Sequence, residues 1–120
     1  MAKFDELKNA VIFDDNDLSE AWEHAPKLIN KPAAEMRLCY ICKFHMDYKI
    51  FVKGKNINNS LAWTIDMINA KKFNLEPTNL IAIHLACVGH QPKKDNTKIL
   101  KKISAVEWQF DDAFWNHNKN

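Results

Sequence analysis

Glycine and arginine are scarce in this sequence, and each shortage narrows what the chain can do. Of its 120 residues only two are glycine, Gly54 and Gly89, and only one is arginine, Arg37. Loops that cradle phosphate groups need several glycines close together, so a phosphate-binding loop of that type is excluded. With four prolines and so few glycines, the chain also lacks long flexible linkers and low-complexity segments.

Long hydrophobic runs are missing as well. The longest apolar stretch, residues 80–88, is interrupted by His84 and is far too short to span a bilayer. The first residues lack a basic start followed by an apolar run, so we expect no secretory signal. Three cysteines, an odd number, argue against a secreted disulfide framework. We therefore expect a cytoplasmic protein without a membrane partner.

The composition is that of a folded globular protein, with 47% hydrophobic and 27% charged residues. At 120 residues the chain is long enough for one modest hydrophobic core. We therefore predict a single domain over residues 1–120.

The small net charge of +2 conceals an uneven distribution. Residues 1–36 carry a net charge of −4, residues 37–105 carry +8, and residues 106–120 carry −2. A basic centre favours an anionic partner such as nucleic acid. The acidic ends offer a second interpretation, because they can neutralise the centre within the fold.

The clearest secondary-structure signal lies between residues 36 and 53, where every second residue is apolar or amphipathic. A period of two is typical of a β-strand with one buried face. Since the stretch is long for one strand, it predicts an antiparallel hairpin that turns near residues 45–47.

Apolar residues at helical spacing predict four helices, over residues 3–13, 17–25, 61–72 and 97–115. Asp17 and Glu20 predict a capping box at the start of the second helix. Residues 79–88 fit a buried strand as well as a helix. The residues at the two ends of the segment are typical of helix starts and stops, which slightly favours the helix. The resulting fold class is α+β, with helices packed on a small antiparallel sheet built around the hairpin at about residues 36–53.

Two cysteine–histidine triplets raise the question of a metal site. They are Cys39-x2-Cys42-x2-His45 and His84-x2-Cys87-x2-His90. Thiolates and imidazoles are the ligands that zinc prefers, and a structural site needs four. A regular strand through residues 36–44, however, points Cys39 and Cys42 to opposite faces. We therefore predict no metal ligand and no cofactor, and keep a zinc-binding domain as a less favoured alternative.

Part of the same region resembles the HNH nuclease family in its spacing. The resemblance rests on Asp66-Met67-Ile68, on Asn79-Leu80, and on Cys87 and His90. That family's ββα site has a histidine directly after the aspartate, where it activates water near a metal ion. Met67 occupies this position here and cannot accept a proton, so the resemblance does not imply nuclease activity.

No other catalytic constellation is recognisable, so we predict no catalytic residues and favour a protein that acts by binding. The candidate partner-binding residues are aromatic side chains in an acidic setting near the C-terminus: Trp108, Trp115, Glu107, Asp111 and Asp112. Aromatic residues dominate interface hot spots, and acidic neighbours steer a basic partner. We therefore expect a small regulatory protein of the inhibitor, immunity or adaptor type, with a protein partner.

The alternative is nucleic-acid binding through a basic face of the predicted sheet. The residues that would form this face are Arg37, Lys43, Lys49, Phe51 and Lys53. An aromatic ring on such a face can stack on a base while lysines neutralise phosphates. The single arginine argues against sequence-specific contacts, since arginine dominates base recognition.

Overall fold

The computed structural model describes residues 3–5, 10–52, 61–71 and 74–109. These residues contain three antiparallel strand pairs: β1 (Lys3–Asp5) with β2 (Ala10–Ile12), β3 (Met36–Leu38) with β4 (His45–Asp47), and β5 (Trp63–Met67) with β6 (Leu80–His84). They also contain helices α1 (Asp15–His24) and α2 (Thr97–Ser104), and 3-10 turns at Pro77–Asn79 and Leu85–Cys87. The α+β class predicted from the sequence is confirmed. Within the described part of the chain, no helix has both the length and the apolar character needed to cross a membrane.

The β5–β6 pair forms the centre of the fold. Its register runs from Trp63 opposite His84 to Met67 opposite Leu80, and all five residues of β6 are buried. Helix α1 packs against β6, and the His24 ring donates a hydrogen bond from Nδ1 to the Leu80 carbonyl at 2.8 Å. A strand covered on both faces has a nearly continuous apolar sequence, which explains why the pattern of residues 79–88 was ambiguous.

The helix predicted over residues 61–72 is therefore wrong. Leu61, Ile65 and Ile68 fit helical spacing, but Trp63 and Ile65 also alternate with less buried neighbours as β5 requires. The pairing with β6 decides between these two patterns, because long-range packing outweighs weak local preference.

The N-terminal third differs from the sequence prediction in two places. Where the sequence predicts a helix over residues 3–13, Lys3–Asp5 and Ala10–Ile12 instead pair as the antiparallel strands β1 and β2, with Lys3 opposite Ile12. The capping box of α1 lies three residues earlier than predicted, because Asp14 accepts from the Asp17 backbone and Asp17 accepts from the Asp14 backbone. Helix α1 ends before Pro26, as the sequence indicates.

The predicted hairpin at about residues 36–53 is present as β3 and β4, but each strand has only three residues. The turn covers residues 39–44 and so comes earlier than the predicted position at residues 45–47. Within it the Cys39 N–H donates to the Phe44 carbonyl at 2.8 Å, and the Lys43 N–H donates to the Cys39 carbonyl at 2.9 Å. Lys43 reaches a left-handed φ of 59° without being a glycine, which is why the turn was hidden in the sequence.

Aromatic side chains surround Trp63, which is fully buried in the core. Its ring centroid lies 5.0 Å from that of Trp22, 5.6 Å from that of Tyr48 and 4.9 Å from that of Phe51. The Trp63 indole also donates from Nε1 to the Tyr48 carbonyl at 3.0 Å, so its polar atom is satisfied. This cluster joins three parts of the chain: helix α1, strand β5 and the segment that follows β4.

Helix α2 ends at Ser104, well before the predicted boundary at residue 115. The chain then turns back, and the Trp108 indole donates from Nε1 to the Ile103 carbonyl at 2.8 Å. The Trp108 carbonyl accepts from the Ile29 N–H at 2.8 Å, which ties the segment after α2 to the segment after α1. The predicted helical positions from 110 onwards lie outside the described residues.

Arg37 lies in the interior and not on a basic sheet face. The residue is 2% exposed, and its guanidinium donates to the carbonyls of Ala33, Glu23 and Ala25 at 2.9–3.0 Å. Its remaining contact is the Glu23 carboxylate at 3.2 Å. These donors are used inside the protein, so Arg37 does not lie on an exposed basic face, as the nucleic-acid prediction required.

We predict that Arg37→Met lowers the free energy of unfolding by about 3 kcal/mol, since it leaves buried carbonyls without donors. Urea unfolding followed by circular dichroism measures this change. Lys49→Met is the control at an exposed position and should change the free energy by less than about 0.5 kcal/mol. An equal loss in the two variants would contradict the structural role of Arg37.

Asp66 should make stability depend on pH. Burial raises the pKa of this carboxyl, although it accepts hydrogen bonds from the Met67 N–H and the Gln91 side-chain amide. The folded state therefore binds the proton more tightly than the unfolded chain, so the resulting stabilisation is complete below the unfolded pKa and is lost as pH rises through the folded pKa.

Asp66→Asn cannot ionise and can still accept from Met67. We therefore expect the variant to be more stable than the natural chain at neutral pH, with the difference shrinking as pH falls towards about 4. Thermal unfolding between these pH values measures it. A difference that does not change with pH would contradict the assignment.

Candidate metal centre

Two separated segments bring four metal-binding side chains together. Cys39 and Cys42 come from the turn that follows β3, whereas His84 ends β6 and Cys87 ends the 3-10 turn after it. One ligand atom from each residue, three sulfurs and one imidazole nitrogen, lies within 4.8 Å of the other three. This convergence is the most chemically specific feature of the described residues.

The turn explains how Cys39 and Cys42 face the same point. Strand β3 ends at Leu38, and the hydrogen bonds between Cys39, Lys43 and Phe44 close the chain on itself immediately afterwards. The assumption of a regular strand through residues 36–44 is therefore wrong. The argument that the two sulfurs point to opposite faces depended on that assumption and is therefore wrong as well.

His84 has its ring orientation fixed by a second hydrogen bond. Its Nε2 lies 2.7 Å from the His45 carbonyl oxygen, which can only accept, so Nε2 carries the proton. The other ring nitrogen, Nδ1, faces the thiols and lies 2.9 Å from Cys42 Sγ. Metal-binding histidines typically donate from the other ring nitrogen in this way, which fixes the tautomer.

A backbone donor also points at the sulfurs. The His84 N–H donates to Cys39 Sγ at 3.4 Å. A hydrogen bond to sulfur stabilises negative charge on it, as is usual around ligating thiolates. Both outer contacts, to the His45 carbonyl and to Cys39 Sγ, come from the same residue of β6, so this strand holds the two halves of the cluster in register.

The pKa values of the three thiols depend on one another. The hydrogen bond from the Cys42 thiol, followed by the contact with His84, lowers the pKa of Cys39 to about 3 despite burial. Burial and then the negative charge of Cys39 raise the pKa of Cys87 to about 11. The hydrogen bond to Cys39 also raises the pKa of Cys42 above its usual range. The small space thus favours one negative sulfur over three in the absence of a positive charge.

Burial differs among the four residues. Cys39 is 0% exposed, His84 4% and Cys87 9%, whereas Cys42 is the exposed member of the set. The other two histidines of the sequence triplets do not belong to it: His45 contributes only its carbonyl, and His90 is exposed. The spacing of the cysteines identified these segments, but the sequence did not reveal which four residues converge.

The candidate partner-binding residues are only partly described. Glu107 is exposed, while Trp108 is half-buried and its indole packs against the core. Asp111, Asp112 and Trp115 lie outside the described residues. The protein-partner interpretation therefore stays a prediction, although the hydrogen bond to Ile103 gives Trp108 a structural role as well.

The candidate nucleic-acid residues lie in different settings. Lys43 is exposed in the turn before β4, Lys49 is exposed after β4, and Phe51 is half-buried against Trp63. Lys53 lies outside the described residues. With Arg37 buried, the described residues contribute two exposed lysines and the half-buried Phe51 to this face.

Another basic surface is more concentrated. A shallow depression of about 280 Å³ lies at the start of α2 and is lined by Lys71, Lys93, Lys94, Asp95, Lys98 and Ile99. Lys101 and Lys102 are exposed further along the same helix. We call these six lysines the α2 basic surface. Sequence reasoning noted the lysines but did not predict that Lys71 joins those at the start of α2.

The residues that carry the HNH resemblance lie at the end of β5, at the start of β6 and in and after the 3-10 turn that follows β6. Met67 ends β5, and Asp66 is bound to the Met67 backbone and to Gln91. Asn79 accepts from the Asn69 N–H and donates to the carbonyl of Asn69, so it braces the connection between the strands. No model of a protein family, no curated protein and no solved structure matches this chain.

Proposed function

We propose that this chain is a small zinc-binding domain that acts by binding a partner and not by catalysis. The residues that would hold one Zn²⁺ are Cys39, Cys42, His84 and Cys87. The observation that carries the proposal is the approach of their four ligand atoms to within 4.8 Å of one another. Tetrahedral zinc, with bonds of about 2.3 Å to sulfur and about 2.0 Å to nitrogen, keeps its donors roughly 3.5–3.8 Å apart, so only small side-chain movements are needed.

The chemistry of the donor set supports zinc over other cations. Three thiolates and one imidazole are soft or borderline ligands, which suit Zn²⁺, whereas Mg²⁺ and Ca²⁺ require oxygen ligands. A divalent ion also compensates the negative charge that the clustered thiols cannot otherwise share. We place the protein in the cytoplasm, because a reducing compartment keeps its three cysteines available as thiolates.

The number of ligands supports a structural role. Four protein ligands complete a tetrahedral site, and a catalytic zinc keeps one position open for water or substrate. The ion would join the turn after β3 to the end of β6, two segments that His84 also links through its contacts with Cys39, Cys42 and the His45 carbonyl. Zinc binding would thus contribute directly to the free energy of folding.

We predict that the purified protein carries one zinc ion per chain, which native mass spectrometry measures. Cys87→Ser should lower the zinc affinity by at least about 100-fold, since it removes one of four ligands. His90→Ala is the matched control, because His90 belongs to the same sequence triplet but lies outside the cluster. It should keep the full zinc content.

A reduced chain that binds no zinc and unfolds identically with and without a chelator would contradict the zinc-binding proposal. Equal zinc loss in Cys87→Ser and His90→Ala would contradict the assignment of the ligands.

The α2 basic surface supports nucleic acid as a second candidate partner, in addition to the predicted protein partner. Four lysines, Lys71, Lys93, Lys94 and Lys98, line one depression, and the amino end of α2 adds a favourable dipole for anions. Asp95 lies among them, and its pKa is lowered by hydrogen bonds from Thr97 and then by Lys71 and Lys98. Lysines without arginines favour backbone contacts over base recognition.

If nucleic acid is the partner, Lys94→Glu with Lys98→Glu should weaken binding to a short duplex by at least about tenfold and reduce the salt slope by about two. Fluorescence anisotropy at several salt concentrations measures both. The matched control is Lys43→Glu with Lys49→Glu, which makes the same charge change on the hairpin. A larger loss in the control would transfer binding to the hairpin, and no binding by the natural chain would leave a protein partner as the proposal.

A further inference from the structure

We propose that the four-residue cluster is also a redox-sensitive site, at which a peroxide converts Cys39 and Cys42 into a disulfide and thereby releases the zinc. This inference rests on the proposed zinc-binding function. It assigns a regulatory chemistry to a centre that is otherwise structural, and it follows from the unequal exposure of the ligands and from the position of two of them in one turn.

Access to the centre is asymmetric. Cys39, His84 and Cys87 are at most 9% exposed, but Cys42 is exposed at the rim of the cluster. A small oxidant such as hydrogen peroxide therefore reaches one sulfur first. Thiolate character and exposure together decide which cysteine is oxidised, and zinc ligation keeps Cys42 as a thiolate.

Cys39 is the cysteine that shares a turn with Cys42. The hydrogen bond from Lys43 to the Cys39 carbonyl closes this turn, and the two sulfurs lie within 4.8 Å of each other. Bond formation between them needs only local rearrangement of this turn. Cys87 belongs to a different segment, at the end of the 3-10 turn, so a bond to it would link the hairpin turn to the segment after β6 and would not close within one turn.

The reaction balances with peroxide as the oxidant. The Cys42 thiolate attacks one oxygen of hydrogen peroxide, which gives a sulfenic acid and releases hydroxide. The Cys39 thiolate then attacks the Cys42 sulfur, forms the S–S bond and expels a second hydroxide. Two thiolates lose two electrons in total, one peroxide gains them, and the two hydroxides are released to the solvent, where the buffer protonates them.

Loss of two ligands explains the release of the metal. After oxidation only His84 and Cys87 remain as donors, and two ligands cannot complete a structural zinc site. The turn is then no longer connected to the end of β6 by the metal ion. A thiol reductant together with zinc reverses both changes, since the disulfide returns to two thiolates by exchange.

The test uses the zinc-loaded chain, hydrogen peroxide and a chromophoric zinc chelator. We expect one zinc ion per chain to be released as the number of titratable thiols falls from three to one. The metal-free mass should fall by two hydrogens, and peptide mapping should place the bond between Cys39 and Cys42. Dithiothreitol followed by zinc should restore the metal content.

Three outcomes would overturn the redox proposal while leaving zinc binding intact: zinc retained in excess peroxide, zinc lost only with irreversible oxidation to sulfonic acid, or a disulfide that includes Cys87. A reduced chain that never binds zinc overturns the proposed function and the redox inference together. The two failures are thus told apart by the zinc content before oxidation.

Cys42→His is the matched variant, because it keeps four ligands and removes the exposed thiol. It should bind zinc and release it at least about tenfold more slowly in peroxide. His90→Ala, which keeps all three thiols, should release zinc at the natural rate. If Cys42→His does not fold, the thiol count and the mapped disulfide of the natural chain still decide the proposal.

Discussion

The close approach of residues 39–42 to residues 84–87 is the constraint on which the rest of the structure depends. These segments are separated by about forty residues, so bringing their ends together has an entropic cost that the contacts there must offset. Among the described residues, His84 links the two segments through its contacts with the His45 carbonyl, Cys42 Sγ and Cys39 Sγ. Under the zinc-binding proposal a metal ion would add to these contacts, because its ligands come from both segments and its binding free energy would become folding free energy.

The metal centre and the hydrophobic core meet at one end of the β5–β6 pair. Trp63, which is at the centre of the aromatic cluster, lies directly opposite His84 in the register of the two strands. The far end of β6 contacts α1 through Leu80 and His24. Strand β6 therefore connects three parts of the domain, and a change in the centre is transmitted first to the hairpin turn and to β6.

Sequence reasoning found the fold class, the hairpin and the two cysteine–histidine segments, but it missed how they combine. A left-handed backbone conformation in a turn is usually indicated by glycine, but here Lys43 adopts that conformation. The alternating pattern of residues 36–52 therefore gave no sign that the strand ends after Leu38. Residues 61–72 and 79–88 carried helical spacing that long-range strand pairing overrides. The alternating pattern predicted that Arg37 lies on the surface. Its carbonyl partners come from the segments before and after Pro26, and a local sequence pattern does not reveal such partners.

If the four residues hold zinc as proposed, the ion has no open position for chemistry, and its role is to hold the surface that the chain presents. Zinc X-ray absorption spectroscopy tests this account most directly, because it reports the identity and distance of the ligand atoms. The account predicts three sulfur neighbours at about 2.3 Å and one nitrogen neighbour at about 2.0–2.1 Å. A spectrum dominated by oxygen or nitrogen neighbours, or one with fewer than three sulfurs per zinc, would contradict it.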